Sequence, residues 1–361
     1  MVERCPDGNP YHVLTALQES LPDGRTRCLV CPRKCVIPEG KYGVCKTKLN
    51  VNGVLCEVNY GKVSSVAMDP IEKKPFFHFM PGTYAYSIGT VGCNLMCEHC
   101  QNWVISQSNP EDFPYLRDLS PEEAVKDALD LGASSIAFTY NEPTIVSMEW
   151  VVETAKLAKE KGLATLSVTN GYWSEEARDR LIPLIDGANV DVKAFTDEFY
   201  RKVAKAPSLK PVLDTVKALK EAGRHVEVTY LIIPTLNDNP DEIRNFARWV
   251  VREVGDDTPV HFSRFYPQFR MTNLPPTPTE VIKNAIRIAR EEGVKYVYSG
   301  NVPGDPDENT YCPSCGELLI RRWGFSIEKC NLTDENRCPR CGEPISIIGK
   351  CRESGGWARM L

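Results

Sequence analysis

Three cysteines that lie close together in the chain have a spacing suited to metal binding. They are Cys93, Cys97 and Cys100, in the stretch GCNLMCEHCQNW at residues 92–103. A closed zinc site or an ordinary iron–sulfur cluster takes four protein ligands, so three leave one position to fill. Either zinc binds with His99 or a distant cysteine as fourth ligand, or a [4Fe–4S] cluster keeps one iron open for a substrate or cofactor.

Two matching cysteine pairs near the C-terminus indicate a further metal site. The stretches CPSCG and CPRCG supply Cys312, Cys315, Cys338 and Cys341. A CxxC turn points backbone N–H groups at the thiolates, and two such turns provide four sulfurs for tetrahedral zinc. The arrangement is that of a zinc ribbon or a rubredoxin, so iron is the alternative to zinc.

Four cysteines near the N-terminus form another candidate metal site. The pattern CxxCxxxC, followed after nine residues by a fourth cysteine, comprises Cys28, Cys31, Cys35 and Cys45. Zinc is the first expectation, and a second iron–sulfur cluster that relays electrons is the alternative. Cys5 and Cys56 receive no role, and Cys330 and Cys351 are expected to be buried or spare thiols.

Composition and charge narrow the class of protein. The chain has 361 residues, a net charge of −5 and no basic stripe, which argues against a nucleic-acid binder. Its longest apolar runs, such as YLIIP, are too short to span a bilayer, and its polar opening lacks a signal segment. We therefore expect a cytoplasmic protein with reduced thiols, in which clustered cysteines bind metals. A disulfide-rich intracellular protein of a hyperthermophile is the alternative.

The sequence between residues 84 and 303 alternates between strand-like and helix-like segments. The predicted strands are 84–90, 134–139, 163–169, 188–193, 225–233, 259–265 and 294–300. Helices are predicted between them, among them 120–132 with Ser120 as N-cap and Glu123 completing a capping box, and 145–162. This alternation predicts an α/β fold with a parallel sheet and right-handed crossovers, forming an open or partial barrel.

Cysteine content divides the chain into three regions. Residues 1–83 form a cysteine-rich region with short strands and a hairpin at Asn52-Gly53. Residues 84–303 form the α/β domain. Residues 304–361 form a zinc-ribbon or rubredoxin-like module.

Polar residues follow the predicted strands at the rim where such a barrel places its active site. After the first four strands come the three cysteines, then Asn141 and Glu142, then Asn170, then Asp191 and Lys193. If these loops were unrelated in function, their polar residues would not be expected to gather at one rim. The pattern therefore predicts an enzyme. For Arg264, Tyr266, Asn301 and His261 we expect structural roles.

The cysteine loop resembles the cluster loop of radical S-adenosylmethionine (SAM) enzymes, and most of all that of the pyruvate formate-lyase activating enzymes. The stretches CLVCPRKC, EGKYGVC, DPIEKKPFFHFMPG, YNEPT, TNGY, DVKAF and NTYCPSCG resemble the radical SAM component of the AmmeMemoRadiSam system. This resemblance runs from about Cys28 to past Cys341. It implies a partial (β/α)6-type barrel with cysteine-rich, metal-binding attachments at both ends.

The resemblance also implies roles for single residues. Cys93, Cys97 and Cys100 match the cluster ligands, and His99 stands where the family has an aromatic residue near the adenine. Asn141 and Glu142 stand where the family often carries a Gly-Gly-Glu stretch that meets the amino group of SAM. The two glycines are replaced here, which leaves Glu142 the better candidate. Thr169 and Asn170 match the next SAM-contacting loop. Asp191 and Lys193 match a D-x-K motif, with Lys193 suited to the methionine carboxylate and Asp191 to the ribose, an ammonium group or a metal ion. The alternative for each is a structural salt bridge or cap.

The function implied is reductive cleavage of SAM, with one electron from a flavodoxin or ferredoxin type of donor. The 5′-deoxyadenosyl radical would then take a hydrogen atom from a substrate. The target would be a glycyl radical enzyme, or another protein, peptide or small molecule. Alternatives are a zinc-ribbon binding module and an iron–sulfur protein of electron transfer or redox sensing. The stretch DPIEKKPFFHF is either a substrate or partner surface or a solvated turn before buried Phe76, Phe77 and Phe79.

Overall fold

The computed structural model describes residues 2–354, which begin with a region of short antiparallel strands. These are β1 (Val13–Leu14), β2 (Gln18–Ser20), β3 (Thr26–Cys28), β4 (Val36–Ile37), β5 (Lys48–Val51), β6 (Val54–Glu57) and β7 (Lys62–Val63). The hairpin predicted at Asn52-Gly53 is confirmed, because β5 and β6 pair on either side of it. Both turn residues have positive φ, at 54° and 79°, which is the conformation that an Asn-Gly turn favours.

The central sheet follows and contains the strands that were predicted. The next strands along the chain are β8 (Ser65–Pro70), β9 (Tyr84–Gly89), β10 (Arg117–Asp118), β11 (Ser135–Phe138), β12 (Ala164–Thr169), β13 (Gly187–Asp191), β14 (His225–Ile232), β15 (Val260–Arg264) and β16 (Val297–Gly300). Within residues 2–354 the sheet has eight strands in the order β16-β15-β14-β13-β12-β11-β9-β8. The seven predicted strands all pair in parallel. Its curvature, and with it the partial barrel, stays a prediction.

The edge strand β8 was not predicted to belong to this sheet. It pairs antiparallel with β9 along its whole length, from Ser65 opposite Gly89 to Pro70 opposite Tyr84. Sequence pattern alone identifies a strand but not its partner, because the pairing depends on which chain segments meet in space. The outer β10 pairs with β7 and lies outside the central sheet.

Helices connect the parallel strands. They are α1 (Trp103–Ser106), α2 (Pro121–Asp130), α3 (Pro143–Val146), α4 (Met148–Glu160), α5 (Glu175–Leu181), α6 (Asp197–Phe199), α7 (Lys210–Glu221), α8 (Pro240–Trp249) and α9 (Thr279–Glu291). The capping box of Ser120 and Glu123 is present. The helix predicted at 145–162 is instead divided at Ser147, whose φ of −125° is not helical and whose hydroxyl accepts a 2.6 Å hydrogen bond from Asn59.

The hydrophobic core lies between the sheet and these helices. Ile136, Val190 and Val228, on three of the parallel strands, are fully buried and belong to one cluster. Burial of each such side chain contributes roughly 1.5–3 kcal/mol to folding. This packing holds the strands rigidly, so that their carboxyl ends can position polar side chains.

The C-terminal region forms a small unit with its own core. Its strands are β17 (Thr310–Tyr311), β18 (Leu318–Trp323) and β19 (Ser326–Cys330). Leu319, Ile320 and Ile327 are buried and pack in one cluster with Phe77 and Tyr298. This contact joins the C-terminal unit to the central sheet.

Disulfides pair the cysteines to which no metal role was given. Cys5 bonds to Cys56, and Cys330 bonds to Cys351, with Cα atoms 6.1 Å apart in both pairs. The expectation that Cys330 and Cys351 are buried or spare thiols is therefore wrong. The two pairs span 51 and 21 residues of sequence, so the spacing of the cysteines alone does not reveal them. No helix in residues 2–354 has the length and apolarity needed to cross a membrane.

Candidate active site

A cavity of about 400 Å³ lies at the carboxyl ends of the parallel strands. This volume is typical of sites for small molecules and cofactors. All ten residues that were predicted for catalysis or cofactor binding line it: Cys93, Cys97, His99, Cys100, Asn141, Glu142, Thr169, Asn170, Asp191 and Lys193. The structure therefore brings together residues that are separated by up to 100 positions in the sequence.

The loop that carries the three cysteines follows β9 and is held in place by Asn141. The side-chain oxygen of Asn141 accepts a 3.0 Å hydrogen bond from the N–H of Thr90. Its amide nitrogen donates to the Thr90 hydroxyl and to the Gly92 carbonyl, at 3.1 and 2.8 Å. Because both amide protons are used, these contacts support a positioning role for this side chain. Direct contact between Asn141 and a cofactor stays a prediction.

Gly92 allows the same loop to pass close to the N-terminal region. Its φ is +96°, and a Cβ atom built on it would lie 2.6 Å from the carbonyl oxygen of Cys45. Both observations require glycine here, since other residues strain at this φ and a side chain would collide with backbone. The N–H of Leu95 points at the Cys93 sulfur from 3.4 Å, as backbone amides do at thiolate ligands.

The sulfurs of Cys93, Cys97 and Cys100 do not form the compact group expected around a single metal ion. Within residues 2–354, only the four C-terminal cysteines form a group whose ligand atoms all lie within 4.8 Å of one another. A single zinc ion would require such short separations, whereas the cube of a [4Fe–4S] cluster holds its cysteine sulfurs further apart. Burial raises the pKa of Cys97 to about 12, against the effect of Lys193, so a thiolate here needs a cationic centre.

Glu142 connects the ends of β11 and β12 and is almost fully buried. Its carboxylate accepts hydrogen bonds of 2.6 Å from the Thr169 hydroxyl and from the N–H of Asn170. Burial raises the pKa of Glu142 to about 7, while these bonds and one from Trp173 act to lower it. A carboxylate can accept about four hydrogen bonds, so it retains capacity for a cationic ligand group in the cavity.

Asn170 links the same region to the cysteine loop. Its side-chain amide donates a 2.8 Å hydrogen bond to the side chain of Asn94 and lies 3.6 Å from the Cys93 sulfur. Its side-chain oxygen accepts from the N–H of Tyr172 at 2.9 Å. Asn170 thus couples the carboxylate of Glu142, through its own backbone, to the position of Cys93.

Asp191 and Lys193 form an ion pair at the end of β13. Their charged atoms are 2.9 Å apart, and the Lys193 side chain is 14 % exposed. Burial disfavours the Lys193 ammonium, but Asp191 and Cys97 outweigh it and raise its pKa above the usual value. The lysine therefore stays charged, with one of its three donors used by Asp191 and others available to an anionic group.

His99 presents a neutral imidazole to the cavity wall. Its side chain is buried, and its Nδ1 atom has no hydrogen-bond partner among residues 2–354. Burial, with a smaller effect of Lys193, lowers the pKa of His99 to about 3. Leaving a buried ring nitrogen unsatisfied costs roughly 1–3 kcal/mol of folding stability.

A group on the edge strand of the sheet was missed in the sequence. Asp69, at the end of β8, accepts hydrogen bonds from Tyr140 at 2.6 Å and contacts Lys74 at 2.7 Å and Lys73 at 2.9 Å. Both lysines and Tyr140 line the cavity. Burial alone would raise the pKa of Asp69, but Lys74 holds it well below its usual range. The lysines come from DPIEKKPFFHF, and because Lys74 is only 3 % exposed, that stretch is not a solvated turn.

The later strands contribute less than the early ones. Asn301 lines the cavity together with Ser263, to which it donates a 3.1 Å hydrogen bond. His261 is buried against Glu227 at 2.6 Å, and Arg264 donates to Tyr266 at 3.1 Å. These last residues do not line the cavity, in agreement with the structural roles expected for them.

The C-terminal cysteines form a compact set of four sulfurs. The sulfurs of Cys312 and Cys341 are 3.6 Å apart, as are those of Cys315 and Cys338. Zinc–sulfur bonds of about 2.3 Å in tetrahedral geometry place the sulfurs about 3.8 Å apart, so the set fits one metal ion of this size. Backbone N–H groups two and three residues further on point at Cys312 and Cys338.

The N-terminal cysteines lie outside the cavity wall. Cys28 and Cys31 are buried, Cys35 and Cys45 are partly buried, and all four thiols are free. They sit on the chain segments that contact the loop of Cys93, as the contact between Gly92 and Cys45 shows.

Comparison with known proteins agrees with this site. Residues 87–250 match the Radical SAM superfamily model. The uncharacterized protein MJ0808 of Methanocaldococcus jannaschii is 49% identical over 331 residues, which make up 91% of this chain and 98% of that protein. The pyruvate formate-lyase-activating enzyme of Clostridium pasteurianum is 26% identical over 165 residues, 43% of this chain and 65% of that enzyme. The match to this activating enzyme is distant and covers less than half of this chain.

Solved structures show a weaker likeness. Streptococcus suis SuiB bound to S-adenosylmethionine aligns with 64% of this chain and 56% of its own, at 10% sequence identity and a TM-score of 0.47. A likeness at this level carries no argument about substrate or mechanism.

Proposed function

Because the chain contains a radical SAM superfamily domain and belongs to the same family as MJ0808, we propose that it cleaves SAM reductively and abstracts a hydrogen atom from a substrate. The observation that carries this proposal is the convergence of three cysteines and seven polar residues on one cavity. We further propose that the central sheet curves into the partial barrel typical of such enzymes. The three sulfurs would hold the [4Fe–4S] cluster.

When bound, the cluster supplies one electron to SAM, whose C5′–S bond breaks to give methionine and the radical that attacks the substrate. The protein's task is to orient SAM and to exclude water. The buried walls of the cavity serve the second purpose.

We propose that Glu142 and Lys193 hold the two charged ends of the methionine part of SAM. The Glu142 carboxylate faces the cavity with spare acceptor capacity, which suits the SAM ammonium group. The Lys193 ammonium has donors left after its bond to Asp191, which suits the SAM carboxylate. Asp191, whose side chain is 38 % exposed, would then accept from the ribose hydroxyls.

His99 is placed to recognise the adenine. Its neutral ring and its place in the cavity wall support contact with the base. Thr169 and Asn170 act through Glu142, by fixing its carboxylate.

The substrate is expected to lie on the side of Lys73, Lys74 and Tyr140. We propose that it is a protein that receives a glycyl radical, or another protein, peptide or small molecule modified within an AmmeMemoRadiSam system. The electron donor would be of flavodoxin or ferredoxin type, the location cytoplasmic and the C-terminal metal zinc.

The test is formation of 5′-deoxyadenosine. The protein is purified without oxygen, loaded with iron and sulfide, reduced with dithionite and mixed with SAM. We expect the nucleoside to form, and to be absent from the Cys93→Ala/Cys97→Ala/Cys100→Ala variant. A cluster-loaded wild type that yields no nucleoside would refute the proposal.

A further inference from the structure

The four N-terminal cysteines form one group in the folded chain. The N–H of Cys28 donates a 2.9 Å hydrogen bond to the carbonyl of Cys35, which sets the two residues opposite each other. Cys35 and Cys45 both lie close enough to Cys28 and Cys31 to interact with them. None of the four is used in a disulfide, although two other cysteine pairs of the chain are. Four free thiols that converge in a largely buried place indicate a bound metal.

The backbone around the group is arranged as at thiolate ligands. The N–H of Val30 points at the Cys28 sulfur and that of Arg33 at the Cys31 sulfur. This is the relation of Leu95 to Cys93 in the loop of the active site. Such N–H groups stabilise negative sulfur, which a buried thiol without a metal does not carry.

A buried cation also lies beside the group. Lys48 is 1 % exposed, forms a 2.6 Å ion pair with Glu57, and interacts electrostatically with Cys28 and Cys45. Four thiolates around zinc or around an oxidised [4Fe–4S] cluster leave a net negative charge. Lys48 is placed to offset part of that charge.

The separation of the sulfurs distinguishes the two kinds of metal centre. Among the described residues, no three of these four sulfurs lie within 4.8 Å of one another, whereas all four C-terminal sulfurs do. Tetrahedral zinc would require sulfurs about 3.8 Å apart. Like Cys93, Cys97 and Cys100, the N-terminal set therefore lacks the close, zinc-like spacing of the C-terminal set.

The group adjoins the active-site loop. A Cβ atom on Gly92 would lie 2.6 Å from the Cys45 carbonyl oxygen, and the Arg33 side chain donates a 2.6 Å hydrogen bond to the carbonyl of Asn94. Both residues that flank Cys93 thus contact the chain segment that carries the N-terminal cysteines. An iron–sulfur cluster here would be able to exchange single electrons with the neighbouring site, whereas zinc has no redox chemistry.

We propose that Cys28, Cys31, Cys35 and Cys45 hold a second [4Fe–4S] cluster, not the zinc ion that the sequence first suggests. All four ligands are protein thiolates, so this cluster is closed and does not bind SAM. The proposal goes beyond the proposed function and does not depend on it.

The test is the metal content of full-length protein purified without oxygen and loaded with iron and sulfide. We expect about eight iron atoms per chain in the wild type and about four in the Cys93→Ala/Cys97→Ala/Cys100→Ala variant. The variant should keep its brown colour and an EPR signal after reduction. Adding Cys28→Ser and Cys31→Ser should remove the remaining iron and sulfide and leave about one zinc per chain.

Two results would overturn the proposal. One is a Cys93→Ala/Cys97→Ala/Cys100→Ala variant that contains two zinc ions and no sulfide. The other is a wild type with only about four iron atoms, all lost in that variant. The wild-type count is informative even if a multiple variant fails to fold. Neither count depends on 5′-deoxyadenosine formation, so failure of SAM cleavage would be recognised separately.

Discussion

Glu142 accepts a 2.6 Å hydrogen bond from the backbone N–H of Asn170, and this bond joins the carboxyl ends of two neighbouring strands. The Asn170 side chain in turn reaches Asn94 and the sulfur of Cys93. A residue proposed to bind SAM is therefore mechanically connected to the loop proposed to bind the cluster. Changes at Glu142 are the most direct test of this arrangement.

Glu142→Gln should weaken SAM binding without unfolding the protein. The glutamine keeps the shape and can still accept from Asn170, but it loses a charged acceptor worth about 1.5–3 kcal/mol. We expect the dissociation constant for SAM to rise about ten- to hundredfold, measured by calorimetry on cluster-loaded protein. Glu149→Gln is the matched control, since Glu149 is equally buried but pairs with Arg180 away from the cavity. Equal affinities of the Glu142 variant and the wild type would exclude this role.

SAM affinity should also depend on pH through Glu142. Because its pKa is raised to about 7, the carboxyl is partly neutral at neutral pH, and binding of an ammonium group should strengthen as pH rises from about 6 to about 8. Glu142→Gln should flatten that dependence. The folding stability should depend on pH with the opposite sign. Because the pKa of Glu142 is higher in the folded state than in the unfolded state, its contribution to stability is fully present below the unfolded-state pKa and is lost as pH rises through about 7. A wild-type affinity that falls over this range would contradict the assignment.

Lys193→Met should raise the KM for SAM more than it lowers kcat. It removes the cation proposed to meet the SAM carboxylate and leaves Asp191 without its 2.9 Å partner. We expect an increase in KM of about tenfold, measured from initial rates of 5′-deoxyadenosine formation, and partial rescue by Lys193→Arg. Because Asp191 is more than a third exposed, we expect little loss of folding stability. An unchanged KM with a reduced kcat would point instead to a role in the chemical step.

Gly92→Ala should prevent loading of the cluster loop. The new Cβ atom would lie 2.6 Å from the Cys45 carbonyl oxygen, at a φ of +96°. The backbone conformation alone costs about 1–3 kcal/mol, and the collision adds to it. We expect a marked fall in bound iron. Gly132→Ala is the control, because its φ is +72° but nothing lies within 4 Å, so it should lose some stability and keep its iron.

Cys315→Ser should release one zinc ion and lower the thermal stability of the C-terminal unit. Cys315 and Cys338 have sulfurs 3.6 Å apart, so loss of one ligand opens the tetrahedral site. Metal analysis of the full chain should show about one zinc fewer than in the wild type. Cys330→Ser, which breaks the disulfide to Cys351 instead, should retain the metal. Zinc content that is the same in all three proteins would refute a zinc site.

Much of the fold could be predicted from local sequence patterns. The seven parallel strands, the capping box of Ser120 and the hairpin at Asn52-Gly53 each depend on neighbouring residues, so periodicity and turn chemistry reveal them. The candidate site was also foreseeable, because parallel strands end at one edge of a sheet and bring the residues that follow them together.

The sequence by itself determined the parallel strands, the spacing of the cysteine ligands and the residues of the cavity rim. Only the tertiary structure decided the antiparallel edge strand β8, the group of Asp69, Lys74 and Tyr140, and the disulfides of Cys5 and Cys330. It also showed that the four C-terminal sulfurs lie within 4.8 Å of one another, whereas the N-terminal sulfurs do not. The physical reason is that these features join segments distant in the chain, and no local periodicity records which segments will meet.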